Sequence, residues 1–177
     1  MVAVWDRPTR LFHWLFAASV IGAWGLADVS RDFHEWLGYL ALVLVAFRLY
    51  WGWSGNAYAR FSAFTPGFRE LLSYIGDLMS RREKRYLGHN PLGALMVFAL
   101  LSLVVVASLS GWYLETDAGF GSDEGHELHE WAVLLLEIAV PLHVVGVILT
   151  GLRHRENLVR AMIHGRKRSP VTETATD

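Results

Sequence analysis

His129 and His143 stand fourteen residues apart in the stretch HEWAVLLLEIAVPLH, whose other residues are mostly those of a lipid-facing helix. A titratable imidazole is costly in hydrocarbon and is by default functional there. Fourteen residues of α-helix rise about 21 Å and complete nearly four turns, so the two rings share one face, about 40° apart, at two depths. Two further histidines fall at those depths once the apolar segments are laid out. His13 lies near the start of the first segment, level with His143, and His34 opens the second, level with His129.

Taken singly, each of these could be a hydrogen-bonded bundle histidine. Four of them arranged as two transmembrane pairs suit a different chemistry, axial ligation of a haem iron by one neutral imidazole on each side of the ring. Zinc is the competing ion, but structural zinc takes four ligands and catalytic zinc three plus water, whereas each level here offers two. The chain has no cysteine, which excludes disulfides, thiolate-held iron-sulfur clusters and covalent c-type haem. Any haem is therefore non-covalent. Small residues follow three of the histidines at helical spacing, Ala17 after His13, Gly38 after His34 and Gly146 after His143, and these either make room for a porphyrin or permit close helix packing.

The elements that must carry these residues follow from the totals. A 177-residue chain with 53% hydrophobic residues, a mean hydropathy of +0.29 and eight tryptophans is too apolar for an ordinary soluble domain. Its net charge of −1 and its lack of a dominant basic face argue against nucleic acid as a partner. Four segments of roughly twenty residues are long enough to span a bilayer: about 8–27, 33–53, 91–114 and 128–151. The first could be read as a secretory signal ending at GLAD, but His13, Trp14 and Trp24 and the immediate second span favour a retained helix. Of the sixteen Lys and Arg residues, all but Arg31 and Arg48 flank the first span, fill the central connection or follow the fourth span. By the positive-inside rule both termini and that connection are cytoplasmic, which places the chain in a bacterial inner membrane. The outer loops are acidic, through Asp28 and Asp32 and then Glu115, Asp117, Asp123, Glu124 and Glu127.

Within the central connection, residues 66–86 repeat apolar side chains at Phe68, Leu71, Leu72, Ile75, Leu78 and Met79, the stripe of an interfacial helix on the cytoplasmic leaflet or of a helix packed on the bundle ends. The tail 169–177, SPVTETATD, has too little apolar content to pack and is expected to be disordered. The expected fold is thus an all-α membrane protein, a single 1–168 domain in which a four-transmembrane-helix bundle holds two b haems. Arg48 stands fourteen residues after His34, on the same face at the cytoplasmic level, where it either pairs with a haem propionate or snorkels to headgroups. His126 is a second-choice outer ligand, and His154 and His164 read as solvated. Glu137 lies between the two levels, rotated about 80° from His129, and is read as a hydrogen-bonded carboxyl or part of a proton path. Pro141 should bend the helix just before His143.

With those residues in place, the chain resembles the prokaryotic di-haem b-type cytochromes, a family that includes cytochrome b subunits of nickel-iron hydrogenases, formate dehydrogenase gamma subunits and short stand-alone cytochromes. The motifs that carry the resemblance are VWDRPTRLFHW at the first span, RYLGHNPLGALM entering the third and HELHEWAVLLLEIAVPLHVVGVILTGLRHRENLVRAM through the fourth, covering the chain to Arg168. The resemblance implies that His13, His34, His129 and His143 ligate two haems stacked across the membrane. It also implies a quinone pocket beside the cytoplasmic haem, which here falls at GHNPLG, with His89 and Asn90 as candidates. Read from the residues alone, Asn90 before Pro91 could equally be a helix cap. The expected function is electron transfer between the quinone pool of a respiratory chain and a partner at the outer face, such as a c-type cytochrome drawn by the acidic loops. The rivals are a haem-bearing anchor for a hydrogenase or dehydrogenase complex and a histidine-lined metal transporter.

Overall fold

The computed structural model describes residues 1–169, so the expected disordered tail lies outside the described residues apart from Ser169. Four long helices dominate: α1 (Arg7–Leu26), α2 (Arg31–Ser54), α4 (Pro91–Leu114) and α5 (Asp123–Arg153). Between the second and third of these lie a 3-10 turn at Phe61–Ala63 and the short helix α3 (Phe68–Met79), and α6 (Leu158–His164) follows α5. Local chemistry sets where three of the long helices start. The Asp6 carboxylate accepts from the Thr9 amide at 2.9 Å, Asn90 from Gly93 at 2.7 Å and the Ser122 hydroxyl from Gly125 at 3.1 Å. Each satisfies an amide that the first turn leaves unpaired. Pro8 and Pro91 occupy first-turn positions, where the missing N–H costs nothing, and Asp123 and Glu124 complement the positive end of α5.

The helices differ from the expected spans mainly at the ends. The fourth was expected at 128–151, but α5 begins at Asp123, because the Ser122 cap and two acidic residues make a helix start that hydropathy does not register. His126 is therefore in its second turn. The expected 66–86 helix is shorter: α3 stops at Met79, and Arg81 has a left-handed backbone with φ 56°, which no continuing helix tolerates. Phe68, Leu72 and Met79 on α3 are exposed. Three helices, α2, α4 and α5, are long and apolar enough to cross a membrane. The 20-residue α1 is less apolar because Arg7, Arg10 and His13 fall within it.

Packing follows chain order around the bundle: α1 lies on α2, α2 on α4 and α4 on α5. The shared core is Phe12, Ala41, Val45, Leu101, Val104, Ala107, Ala132 and Leu136. Alanines at the contact surfaces let the backbones approach closely, while leucines, valines and tryptophans such as Leu49, Val43, Leu142 and Trp131 face outward, as a lipid surround requires. Among the described residues α5 packs closely against neither α1 nor α2, which leaves a gap along the bundle.

The end of the bundle that carries both termini is closed by a feature that hydropathy does not announce. Val2–Ala3 (β1) pairs antiparallel with Arg166–Lys167 (β2), and the Val4 and Trp5 amides both donate to the Gly165 carbonyl. Glu156 supports this clasp by accepting from Arg85 at 2.7 Å and from the Arg168 amide at 3.1 Å. Burial works to raise the Glu156 carboxyl, but those donors outweigh it and hold it below its ordinary value. A carboxyl lowered in the folded state contributes stability that is fully present above its unfolded pKa and is lost as pH falls through the lowered one. Protection factors for amide exchange at Val4 and Trp5 are therefore expected to drop as pH is taken from about 6 to about 3. Glu156→Gln should start lower and lose that pH step.

Candidate functional site

Across the gap, α5 presents His129 and His143 to α2 and α1. The ring centres of His13 and His143 lie 6.4 Å apart, and those of His34 and His129 lie 6.1 Å apart. With a metal–imidazole bond of about 2 Å and about 1.1 Å from nitrogen to ring centre, two imidazoles on opposite sides of one metal ion would have ring centres about 6.2 Å apart. Both pairs match that separation. Among the described residues no group of three or more His, Cys, Asp or Glu side chains is placed to hold a metal.

The outer pair is oriented by backbone carbonyls. His34 Nδ1 donates to the Ala23 carbonyl of α1 at 2.8 Å, and His129 Nδ1 donates to the Ala107 carbonyl of α4 at 2.9 Å, with the Ser110 hydroxyl 3.2 Å from the same nitrogen. A carbonyl only accepts, so each Nδ1 carries the proton and each Nε2 keeps its lone pair for a metal. Gly111 lets the His129 ring lie against α4, since a Cβ there would sit 3.2 Å from His129 Cε1. A Cβ at Gly38 or Gly146 would meet nothing within 4 Å, which agrees with free space beside both levels. In the His13–His143 pair, His13 Nδ1 is buried without a hydrogen-bond partner among the described residues, and the ring is held edge-on by Trp14 with centres 5.1 Å apart. In donor chemistry and spacing the two pairs fit a b-type haem.

Arg48 is buried at 3% exposure and does not snorkel. Its Nη2 donates to the Ala59 carbonyl at 3.0 Å, its guanidinium lies 4.6 Å from the Phe61 ring centre, and Nη1 has no partner. That leaves one buried donor for an anionic group. His89 is packed between Trp5, at 4.9 Å, and Phe64, at 4.4 Å, with its Nδ1 also unpartnered. Burial first, and then the charges of Arg48 and Lys167, push its pKa down to about 3, so at neutral pH it is an uncharged hydrogen-bonding ring. His89 also walls a small cavity of about 80 Å³ shared with Thr65, Glu70 and Tyr86. Asn90 uses its side-chain oxygen to cap α4. His154 ends α5 and His164 ends α6, both away from the gap.

Sequence reasoning had no sign of the residues that hold the rings. Ala23 and Ala107 act through their backbone, which their side chains do not reveal, and Gly111 looks like any small residue of a membrane helix. Phe61 over Arg48 depends on how the connection after α2 folds back.

Comparison with known proteins agrees with this geometry. No solved structure matches the chain. A probable Ni/Fe-hydrogenase B-type cytochrome subunit of Rhizobium leguminosarum bv. viciae is 23% identical over 94% of this chain and 88% of its own length. Proteins of the same description from Azotobacter vinelandii, at 26% over 93% of this chain and 87% of the relative, and from Escherichia coli K12, the hydrogenase 1 subunit at 21% over 92% and 88%, are similar along nearly their full lengths. The family model described as prokaryotic cytochrome b561 matches residues 4–165, from the clasp at one end to the clasp at the other. With that match spanning both histidine pairs, the chain belongs to the prokaryotic cytochrome b561 family of membrane electron-transfer proteins, whose cofactor is b-type haem.

Proposed function

We propose that the chain crosses the bacterial inner membrane four times with both termini cytoplasmic, and that it carries electrons between the quinone pool and a redox partner at the outer face through two haems. The observation that carries this reading is the pair of histidine couples, 6.4 and 6.1 Å between ring centres, across the gap between α5 and the α1–α2 pair. His13 and His143 hold the inner group, and His34 and His129 the outer one. When bound, each haem iron supplies the one-electron step, while the protein sets its potential through ligands, burial and neighbouring charge. Arg48 Nη1 receives a propionate of the inner haem, a charge-assisted bond that satisfies its unpaired donor.

His89 and Asn90, at the cytoplasmic entrance of α4, are the quinone candidates, and the cavity beside His89 admits the edge of a ring. Because His89 is neutral, it orients a quinone oxygen and does not store the proton. A second reading is favoured by the names of the relatives: the chain is the haem-bearing membrane subunit of a hydrogenase complex, with its acidic outer loops facing the catalytic subunits.

Purified protein is expected to give a reduced-minus-oxidised spectrum of low-spin b haem with two haems per chain. A ratio of one or none would overturn the two-site reading, and a reporter at Gly121 that behaves as cytoplasmic would overturn the orientation.

A further inference from the structure

Arg48 is not the only buried cation near the end of the bundle that carries both termini. Lys167, on the clasp strand β2, is 5% exposed. Alternation along that strand sets the direction of its side chain: Arg166, which pairs with Ala3, is exposed, whereas Lys167, which pairs with Val2, turns inward. Its Nζ lies 5.7 Å from the Trp5 ring centre. A line of ring contacts leads from there to the other cation. Trp5 packs on His89 at 4.9 Å, His89 on Phe64 at 4.4 Å, and the Arg48 guanidinium lies 6.0 Å from the Phe64 ring centre. His89, in the middle of this line, is within electrostatic reach of Arg48, Lys167, His143 and His13, so both cations and one histidine couple are gathered around one buried ring.

Neither cation has an acid to itself. Among the described residues neither forms an ion pair. The Glu156 carboxylate is taken by Arg85 and the Arg168 amide, and Asp6 by the Thr9 amide at 2.9 Å and the Trp51 indole at 3.1 Å. Burial accordingly lowers the Lys167 ammonium below its ordinary value, against the opposing pull of Glu156. A buried ammonium, and a buried guanidinium with Nη1 unpartnered, are costly unless a negative group joins them. Both are donors suited to carboxylates. A b-type haem brings two carboxylates, its propionates, on one edge of the ring.

We propose that Lys167 is the second carboxylate-binding residue of the haem site formed by His13 and His143, with Arg48 holding one propionate and Lys167 the other. The inference rests on the reading of that couple as haem ligands. It also gives the clasp a role in cofactor binding. Lys167 reaches the site only because β2 is paired with β1, so the cofactor ties the two ends of the described chain together. Linkage makes the effect reciprocal: if a closed clasp tightens haem binding, bound haem favours the closed clasp by the same factor.

The test uses the full-length holoprotein in nanodiscs, with Lys167→Gln, Lys167→Arg and, as a control for charge on the same strand, Arg166→Gln. Haem transfer to excess apomyoglobin measures retention. Lys167→Gln should release one haem about tenfold faster than the parent, the equivalent of one lost hydrogen bond to a charged group. Lys167→Arg and Arg166→Gln should release it at the parent's rate. Amide exchange at Val4 and Trp5, which donate to Gly165, should be slower in the loaded parent than in the haem-stripped one, and that difference should shrink in Lys167→Gln. Loading with iron protoporphyrin dimethyl ester, whose esterified propionates carry no charge, should make the parent and Lys167→Gln release alike. Equal retention of natural haem by the parent and Lys167→Gln would overturn the proposal, and so would a Lys167 effect that persists with the ester. Should Lys167→Gln not accumulate, Val4 and Trp5 exchange that is the same in loaded and stripped parent would overturn it instead. A parent that binds no haem through His13 and His143 would defeat the reading of the couple itself.

Discussion

His143→Ala is expected to lose the inner haem and half of the b-type absorbance, while the outer haem keeps its spectrum and potential. His13→Ala should do the same, and His34→Ala or His129→Ala should remove the outer haem alone. The separation of effects is the informative part. Each pair spans two helices that do not otherwise pack closely, so one ligand cannot be replaced by a neighbour sliding into place. Binding of a group to the folded state also stabilises that state by mass action, so each variant should melt lower than the parent when haem is present. Haem-to-protein ratios and low-spin resonance signals measure the result. The outer site would have to be reassigned to His126 if His129→Ala kept two low-spin haems while His126→Ala lost one.

The second large effect is expected at the entrance to α4. Removing both His89 and Asn90 should leave the two haem spectra intact and slow haem reoxidation by added quinone by about ten- to a hundredfold, the kinetic equivalent of about 1.5 to 3 kcal/mol for a hydrogen bond to a charged group. Asn90 also caps α4, and loss of a cap costs about 1 kcal/mol of stability. The cleaner variant is therefore Asn90→Ser, which preserves the cap and removes the amide. Because His89 titrates far below neutrality, quinone kinetics between pH 6 and pH 8 should show no step that His89→Gln removes. Unchanged kinetics in the double variant would move the quinone site toward the outer haem.

The histidine couples were legible because helical periodicity converts fourteen residues into one face at two depths, and because charge asymmetry fixes which ends of the four segments lie together. The Asn90–Pro91 start of α4 was legible for a similar reason, since cap and first-turn chemistry act over three residues. Arg48 was singled out by the same periodicity, fourteen residues after His34. Its burial under Phe61 was not visible, because that contact depends on the path of an irregular connection whose residues carry no period. The end of α3 at Met79 was missed because its apolar stripe and its charged continuation both permit helix, and because the left-handed cap at Arg81, over which the Arg82 amide donates back to the Asp77 carbonyl at 2.8 Å, is built without the glycine that would announce it. The pairing of residues 2–3 with 166–167 joins segments too short to have a pattern of their own.

That last pairing has a consequence for how the protein is made. β1 is made before all four long helices and its partner strand after them, so the clasp cannot close until α5 and α6 have been made. The same holds for both histidine couples, because one member of each lies on α5. Trp5, which packs against His89, is likewise held in place only once Gly165 offers its carbonyl to Val4 and Trp5. A nascent chain inserted as far as α4 therefore has neither histidine couple complete and lacks the clasp. In the proposed two-haem reading, loading follows the synthesis of α5, and truncation before residue 166 should yield an inserted protein that loads the His34–His129 site more readily than the His13–His143 site.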